Sequence, residues 1–179
     1  AGGRATIAAG RCLSYGDAIT YYPVVGVLRS ALGIPLHATG PAIRQAIEDA
    51  LAGADDAARV VDVLLPVFGA GGRRSSQDET DWAARLLLRG LADRRPLVVL
   101  VEDVHWADSQ ALDFFRELSD EQHPLLVVAT ARPEALDQEE HHPRADQLVL
   151  PPFDLEEVRA RMSSILGAAP PEAAVETLT

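Results

Sequence analysis

Two hydrophobic rhythms run along this chain. Leu97–Val101 and Leu125–Ala131 are apolar almost throughout and follow Pro96 and Pro124. Short continuous runs between turn signals read as strands buried on both faces. Ala5–Leu13 reads as a further short strand running into a turn at Ser14–Asp17, and Gln147–Leu150 as another, stopped by Pro151-Pro152. Between the runs the spacing becomes helical. Val24, Val27, Leu28, Ala31 and Leu32 fall on one stripe that Gly33 can end, and Ile43, Ile47 and Leu51 step by four in a helix over Pro41–Ala52. Val60–Phe68 predicts a short helix broken near Pro66. Asp81–Leu91 predicts another, with Arg94-Arg95 complementing the negative end of its dipole before Pro96 stops it. Asp108 or Ser109 can cap a helix whose Leu112, Phe115 and Leu118 face inward. Asp154-Leu155-Glu156-Glu157 resembles a capping box ahead of Val158, Met162 and Ile165. Gly69–Thr80 is polar and Gly-rich and reads as a loop suited to disorder, while Asp137–Arg144 is a charged connection. Strands alternating with helices predict an α/β fold, a parallel sheet wrapped by helices.

Composition narrows the class. At 179 residues, 47% hydrophobic and 24% charged, the chain can bury one real core. A net charge of -11 disfavours non-specific binding to DNA or to an anionic membrane. The single Cys12 leaves no internal disulfide framework and fits a reducing cytoplasm. No apolar stretch approaches bilayer-spanning length, so no membrane partner is expected. The chain begins with Ala1 and its one Met is Met162, which suggests a piece cut from a larger protein.

The chemistry concentrates where the run Leu97–Val101 ends in Glu102-Asp103. Two adjacent carboxylates after a buried strand stand at the carboxyl edge of a sheet, where open α/β folds bind ligands. One can hold a Mg²⁺-bound water and the other can orient an attacking water, which is half of a phosphate-cleaving site. The other half needs a G-x-x-x-x-G-K-[ST] loop, and it cannot lie within this chain, because all 16 basic residues are Arg. Phe68–Ser76 supplies glycines and hydroxyls without the required spacing. His141-His142 beside Glu139-Glu140 has metal-ligand residue types but reads as a solvated loop. Cys12 has no catalytic constellation around it, and no G-x-S-x-G elbow occurs. Trp106 is expected to pack beneath the sheet edge and Asp108 to cap the next helix.

Four segments in order carry a family resemblance: Gly10–Asp17 with Ile19–Pro23, then Glu102–Asp108, Leu125–Glu134 and Pro152–Leu155. The chain resembles the signal-transduction P-loop ATPases (STAND, AAA-like) of large bacterial regulators, including regulators with LuxR-type DNA-binding ends and cyclase-associated proteins. Glu102-Asp103 looks like a Walker B pair. The resemblance implies a three-layer αβα core over residues 1–152, lacking the phosphate-loop strand, and the start of a helical lid over 153–179. It assigns Mg²⁺ coordination through water to Glu102 and Asp103, water positioning to Asp103, and sensor contacts with the γ-phosphate to Thr130 and Arg132. ATP or ADP with Mg²⁺ are the implied ligands. The implied parent is a slow, cytoplasmic ATPase switch in signalling or transcription regulation, touching DNA only through other domains. A Walker A loop is expected within roughly 30–40 residues upstream. Without it this stretch alone is expected to be inactive, marginally stable and left with an exposed apolar groove. The alternative is a degenerate, non-hydrolysing scaffold that acts through self-association.

Overall fold

The computed structural model describes residues 5–14, 21–132 and 146–171, in two compact units, residues 1–142 and 143–179.

In the first unit three parallel strands, β1 (Thr6–Arg11), β2 (Leu97–Glu102) and β3 (Leu125–Ala129), form a sheet in the order β1-β2-β3. The register aligns Ala8 with Val99 and Val99 with Val127, and puts Arg11 opposite Glu102. Helices α1 (Tyr22–Leu32), α2 (Gly40–Ala50), α3 (Ala57–Val67) and α4 (Gln77–Arg94) join β1 to β2, and α5 (Ser109–Ser119) joins β2 to β3. A chain stepping in one direction across a sheet through right-handed crossovers lays all its connecting helices on one face. Burial shows which face. Ala8, Leu97, Val99 and Val101 are sealed against Val24, Val27, Leu64, Leu87, Leu88 and Phe114 in a single core, with Leu125 and Val127 packed against it. The alternate positions point the other way, and there Ile7 is 65% and Leu126 58% exposed. The α/β reading is therefore correct, and among the described residues of this unit nothing covers the apolar face bearing Ile7, Leu126 and Val128.

Local signals explain most boundaries. Gly33, in the left-handed region (φ 65°), ends α1 and donates its N–H back into the last turn. Pro41 sits in the first turn of α2. Pro66 stays inside the last turn of α3 instead of breaking it. α4 begins earlier than the apolar pattern suggests, because Ser76 and Glu79 form a reciprocal capping box and Thr80 is buried; residues 77–80 are helix, not loop. In α5 the inward residues are Ala111, Phe114, Phe115 and Leu118, while Leu112 is only partly covered. β1 packs on α1 with almost no clearance: a Cβ built on Gly26 would lie 3.2 Å from the Gly10 Cα, and one on Gly10 would lie 2.2 Å from the Pro23 carbonyl oxygen. The outer edge of β1 is partly closed by Ser30, whose hydroxyl accepts the Ala9 N–H at 3.0 Å.

In the second unit Gln147–Leu150 is not a strand. These residues adopt no regular structure, and Leu148, Val149 and Leu150 are exposed, so the short apolar run has no pairing strand among the described residues. Helix α6 (Leu155–Leu166) starts at the expected capping box, with Asp154 accepting the Glu157 N–H and the Glu157 carboxylate accepting the Asp154 N–H.

Candidate functional site

The carboxyl ends of the three strands bring together Arg11, Glu102, Asp103 and Thr130. β2 ends at Glu102, and the chain then turns sharply. Asp103 adopts the left-handed conformation (φ 57°, ψ 42°), which a non-glycine residue holds at a cost of about 1 kcal/mol or more. The neighbouring strand holds it there. The Asp103 N–H donates to the Thr130 hydroxyl at 3.1 Å, the Val104 N–H to the Thr130 carbonyl at 2.8 Å, and the Thr130 N–H to the Val101 carbonyl at 2.9 Å. A short 3-10 turn, Val104–Trp106, follows, and Asp108 caps α5 by accepting the Ala111 N–H at 2.7 Å.

On the other flank, Arg11 reaches across from β1. Its Nε and one terminal nitrogen both donate to Oδ2 of Asp103, at 3.0 and 2.9 Å. The parallel register puts Arg11 on the same face as Glu102, and the Asp103 hydrogen bond, then the charges of Asp103 and Glu102, hold the guanidinium firmly protonated. Glu102 is exposed: its carbonyl accepts the Cys12 N–H at 2.9 Å, while its carboxylate makes no hydrogen bond or ion pair among the described residues. An open pocket of about 270 Å³ lies beside Glu102 and Arg11, walled by Tyr22, Val25, Arg29 and Leu36 at the β1 end of the sheet.

Of the residues singled out by sequence, Glu102, Asp103 and Thr130 are thus neighbours. Arg132 is exposed beyond the end of β3 and forms no ion pair among the described residues. Trp106 does not pack beneath the sheet: it is 46% exposed and meets the His105 ring at a centroid distance of 5.0 Å. The ring nitrogens of His105 have no hydrogen-bond partner among the described residues. Cys12 is buried, and burial, with the charges of Asp103 and Asp108, pushes its thiol up to about 11, which fits its lack of catalytic company. The Ser76 hydroxyl is committed to capping α4, so the Phe68–Ser76 stretch does not free it for phosphate. His141-His142 and Glu139-Glu140 lie outside the described residues. Arg11 had no assigned role in the sequence; the available signal is an Arg at the end of one strand in register with an acid at the end of the next.

Residues 1–128 match the family model for the AAA ATPase domain. The chain belongs to that family. Its members bind nucleotide and use Mg²⁺, which accords with carboxylates gathered at the carboxyl edge of a parallel sheet. The matched range takes in Arg11, Glu102 and Asp103 and stops before Thr130 and Arg132. The chain is also 34% identical over 160 residues to an uncharacterised protein of Rhizobium meliloti (strain 1021), a match covering 83% of this chain but 16% of that protein. The chain thus spans a small share of the length of the curated relative it matches. Solved structures give no significant match.

The side chains present fit Mg²⁺ in one specific manner. No group of three or more His, Cys, Asp or Glu able to enclose a metal occurs among the described residues. Two adjacent carboxylates suit a small hard cation that keeps most of its waters and completes its shell with phosphate oxygens. No described helix is long and apolar enough to cross a membrane.

Proposed function

We propose that this domain is the carboxylate-bearing part of an ATP-dependent regulatory switch within a larger bacterial signalling or transcription-regulatory protein. The observation that carries the reading is the convergence of Glu102, Asp103 and Thr130 at one sheet edge, with Asp103 held in a strained conformation by the adjacent strand. Glu102, unpaired and exposed, is the Walker B residue that holds Mg²⁺ through water. When bound, Mg²⁺ would neutralise charge on the β- and γ-phosphate oxygens. Asp103 positions the attacking water with the carboxylate oxygen that Arg11 leaves unengaged. Thr130 and Arg132 stand at the end of β3 as sensors of the terminal phosphate, Thr130 through its hydroxyl bond to the Asp103 backbone and Arg132 as an exposed fork. In this reading α6 opens a helical lid, the ligands are ATP and ADP, the setting is cytoplasmic, and any DNA contact belongs to other parts of the parent.

The test uses the full-length polypeptide. Glu102→Gln should raise the Mg²⁺ concentration needed for nucleotide binding. Asp103→Asn should preserve binding and abolish turnover in a single-turnover ATP assay. Unchanged turnover in both variants would remove the catalytic assignment.

A second reading, a non-hydrolysing scaffold that self-associates, is favoured by one observation: a chain without lysine cannot itself supply the lysine of a phosphate loop. Wild-type full-length protein that binds no nucleotide but sediments as an oligomer would establish it.

A further inference from the structure

The outer edge of β1 keeps a hydrogen-bonding rung unused. The Thr6 N–H donates to the Pro96 carbonyl at 2.8 Å and the Cys12 N–H to the Glu102 carbonyl at 2.9 Å, so even-numbered residues face β2. Backbone groups alternate between the two sides of a strand, which turns those of Ile7, Ala9 and Arg11 to the outer edge. There the Ser30 hydroxyl takes the Ala9 N–H. The Ala9 carbonyl and the Arg11 N–H have no partner among the described residues. They lie 3.9 and 4.0 Å from the point that a Cβ on Gly26 would occupy; without one, α1 passes and leaves them uncovered. The pocket of about 270 Å³ opens at this point. Tyr22, Val25 and Leu36 form its apolar wall, with Tyr22 41% and Leu36 86% exposed. Arg29 fixes that wall by donating to the Pro35 carbonyl at 2.9 Å and to the Phe68 carbonyl at 3.1 Å. Among the charged residues lining the pocket, Arg11 is paired with Asp103 and Arg29 is committed to carbonyls. The charge left without a partner is the Glu102 carboxylate.

We propose that this edge docks an extended segment of another polypeptide, in which a large aliphatic residue is followed by Lys or Arg. The segment adds a parallel rung to the sheet. Its aliphatic residue donates its N–H to the Ala9 carbonyl and accepts the Arg11 N–H on its own carbonyl. That residue lies level with Gly10, whose side of the sheet faces α1, so its side chain enters between Tyr22, Val25 and Leu36. The next residue points to the opposite side, the side of Arg11 and Glu102, where a cationic head meets the unpaired carboxylate. Ser30 blocks the preceding rung, so pairing runs only toward the carboxyl end of β1. The net charge of -11 favours a basic partner as well. A second copy does not fit the description: every Arg that follows a large apolar residue in this chain lies inside α1, α2, α4, α5 or α6. Neither nucleotide nor cation takes part in the docking.

The experiment uses the full-length polypeptide at low salt in EDTA, so that no cation competes for Glu102, and the synthetic peptide acetyl-TLKVT-amide as probe. Calorimetry measures affinity, and mass spectrometry follows backbone hydrogen exchange at Arg11. The peptide should bind saturably and slow exchange at Arg11, while Ile7, beyond the Ser30 block, stays unchanged. Acetyl-TLEVT-amide, with the charge reversed, should bind roughly fivefold weaker or worse. Leu36→Asp should weaken the first peptide by about tenfold or more, and its exposed position keeps the urea midpoint at the wild-type value. Should that midpoint fall, acetyl-TDKVT-amide makes the same test from the peptide's side. No binding up to about 1 mM, equal binding of the Lys and Glu peptides, or unaltered Arg11 exchange at saturation would each overturn the proposal. Slow exchange at Arg11 before any peptide is added overturns it too. In a sedimenting dimer the occupant is then a second copy, and in a monomer a segment of the parent itself.

Discussion

Replacing Gly10 by Ala tests how tightly the site-bearing strand is seated. The added methyl would stand 2.2 Å from the Pro23 carbonyl oxygen, 2.8 Å from Val27 Cγ2 and 3.1 Å from the Val27 nitrogen. A carbon settles against a carbonyl oxygen at about 3.3 Å or more, so α1 must back away from β1 by about 1 Å. The obstacle is main chain, so no rotamer change relieves it. Overpacking of this kind costs roughly 1–3 kcal/mol, occasionally more, and a clash with backbone belongs at the upper end. Ala restricts the unfolded chain and recovers about 0.4–1 kcal/mol, leaving a net loss of about 2–3 kcal/mol. Gly26→Ala provides the internal control, because it adds a methyl to the same interface at 3.2 Å from the Gly10 Cα. There a shift of a few tenths of an ångström suffices, and helix propensity gives back about 1 kcal/mol, so the variant should stay within about 0.5 kcal/mol of wild type. Urea unfolding followed by circular dichroism gives both values from one set of curves. Equal midpoints for the two variants would refute the close-packed β1–α1 seam. Because Arg11 follows Gly10 directly, Gly10→Ala should also weaken the Arg11–Asp103 pair, visible in the Arg11 Nε–H signal.

Two further outcomes test neighbouring features. Asp108→Ala removes the side chain that accepts the Ala111 N–H at the start of α5 and should cost about 1 kcal/mol, whereas Asp108→Asn should cost far less; equal losses would show that the charge, not the cap, matters. Cys12 should resist alkylation in the folded protein at pH 8 and react readily in urea. Its folded value of about 11 lies above the ordinary 9.0, so the native state holds the proton longer, and the stabilisation present below pH 9 should decline as pH rises toward 11. Cys12→Ala should lose that part of the slope in a pH series of urea midpoints, and an unchanged slope would refute the assignment.

Glu102 and Asp103 were legible because a buried strand ending in two acids is a local pattern, and the parallel sheet followed from the alternation of strands and helices. The capping boxes at Ser76 and Asp154 are equally local; the first was overlooked only because no apolar stripe accompanies residues 77–80. The failures have a different cause. Gln147–Leu150 has the composition of a strand, but a strand exists only through a partner's hydrogen bonds, and none of the described residues supplies them. Trp106 looked like core because it is large and apolar, yet the 3-10 turn after Asp103 carries it outward.

The sequence by itself determined where helices start and stop, which strand ends in carboxylates, and that the chain holds no lysine for a phosphate loop, since each is a property of residues close along the chain. Only the tertiary structure decided that Arg11, 92 positions from Asp103, grips its carboxylate, that Thr130 pins its backbone, and which face of the sheet buries its side chains in the core. Those facts depend on strand order and register, which align distant residues to within hydrogen-bonding distance. A one-residue slip in that register would turn Arg11 to the opposite face and dissolve the site without altering any local motif.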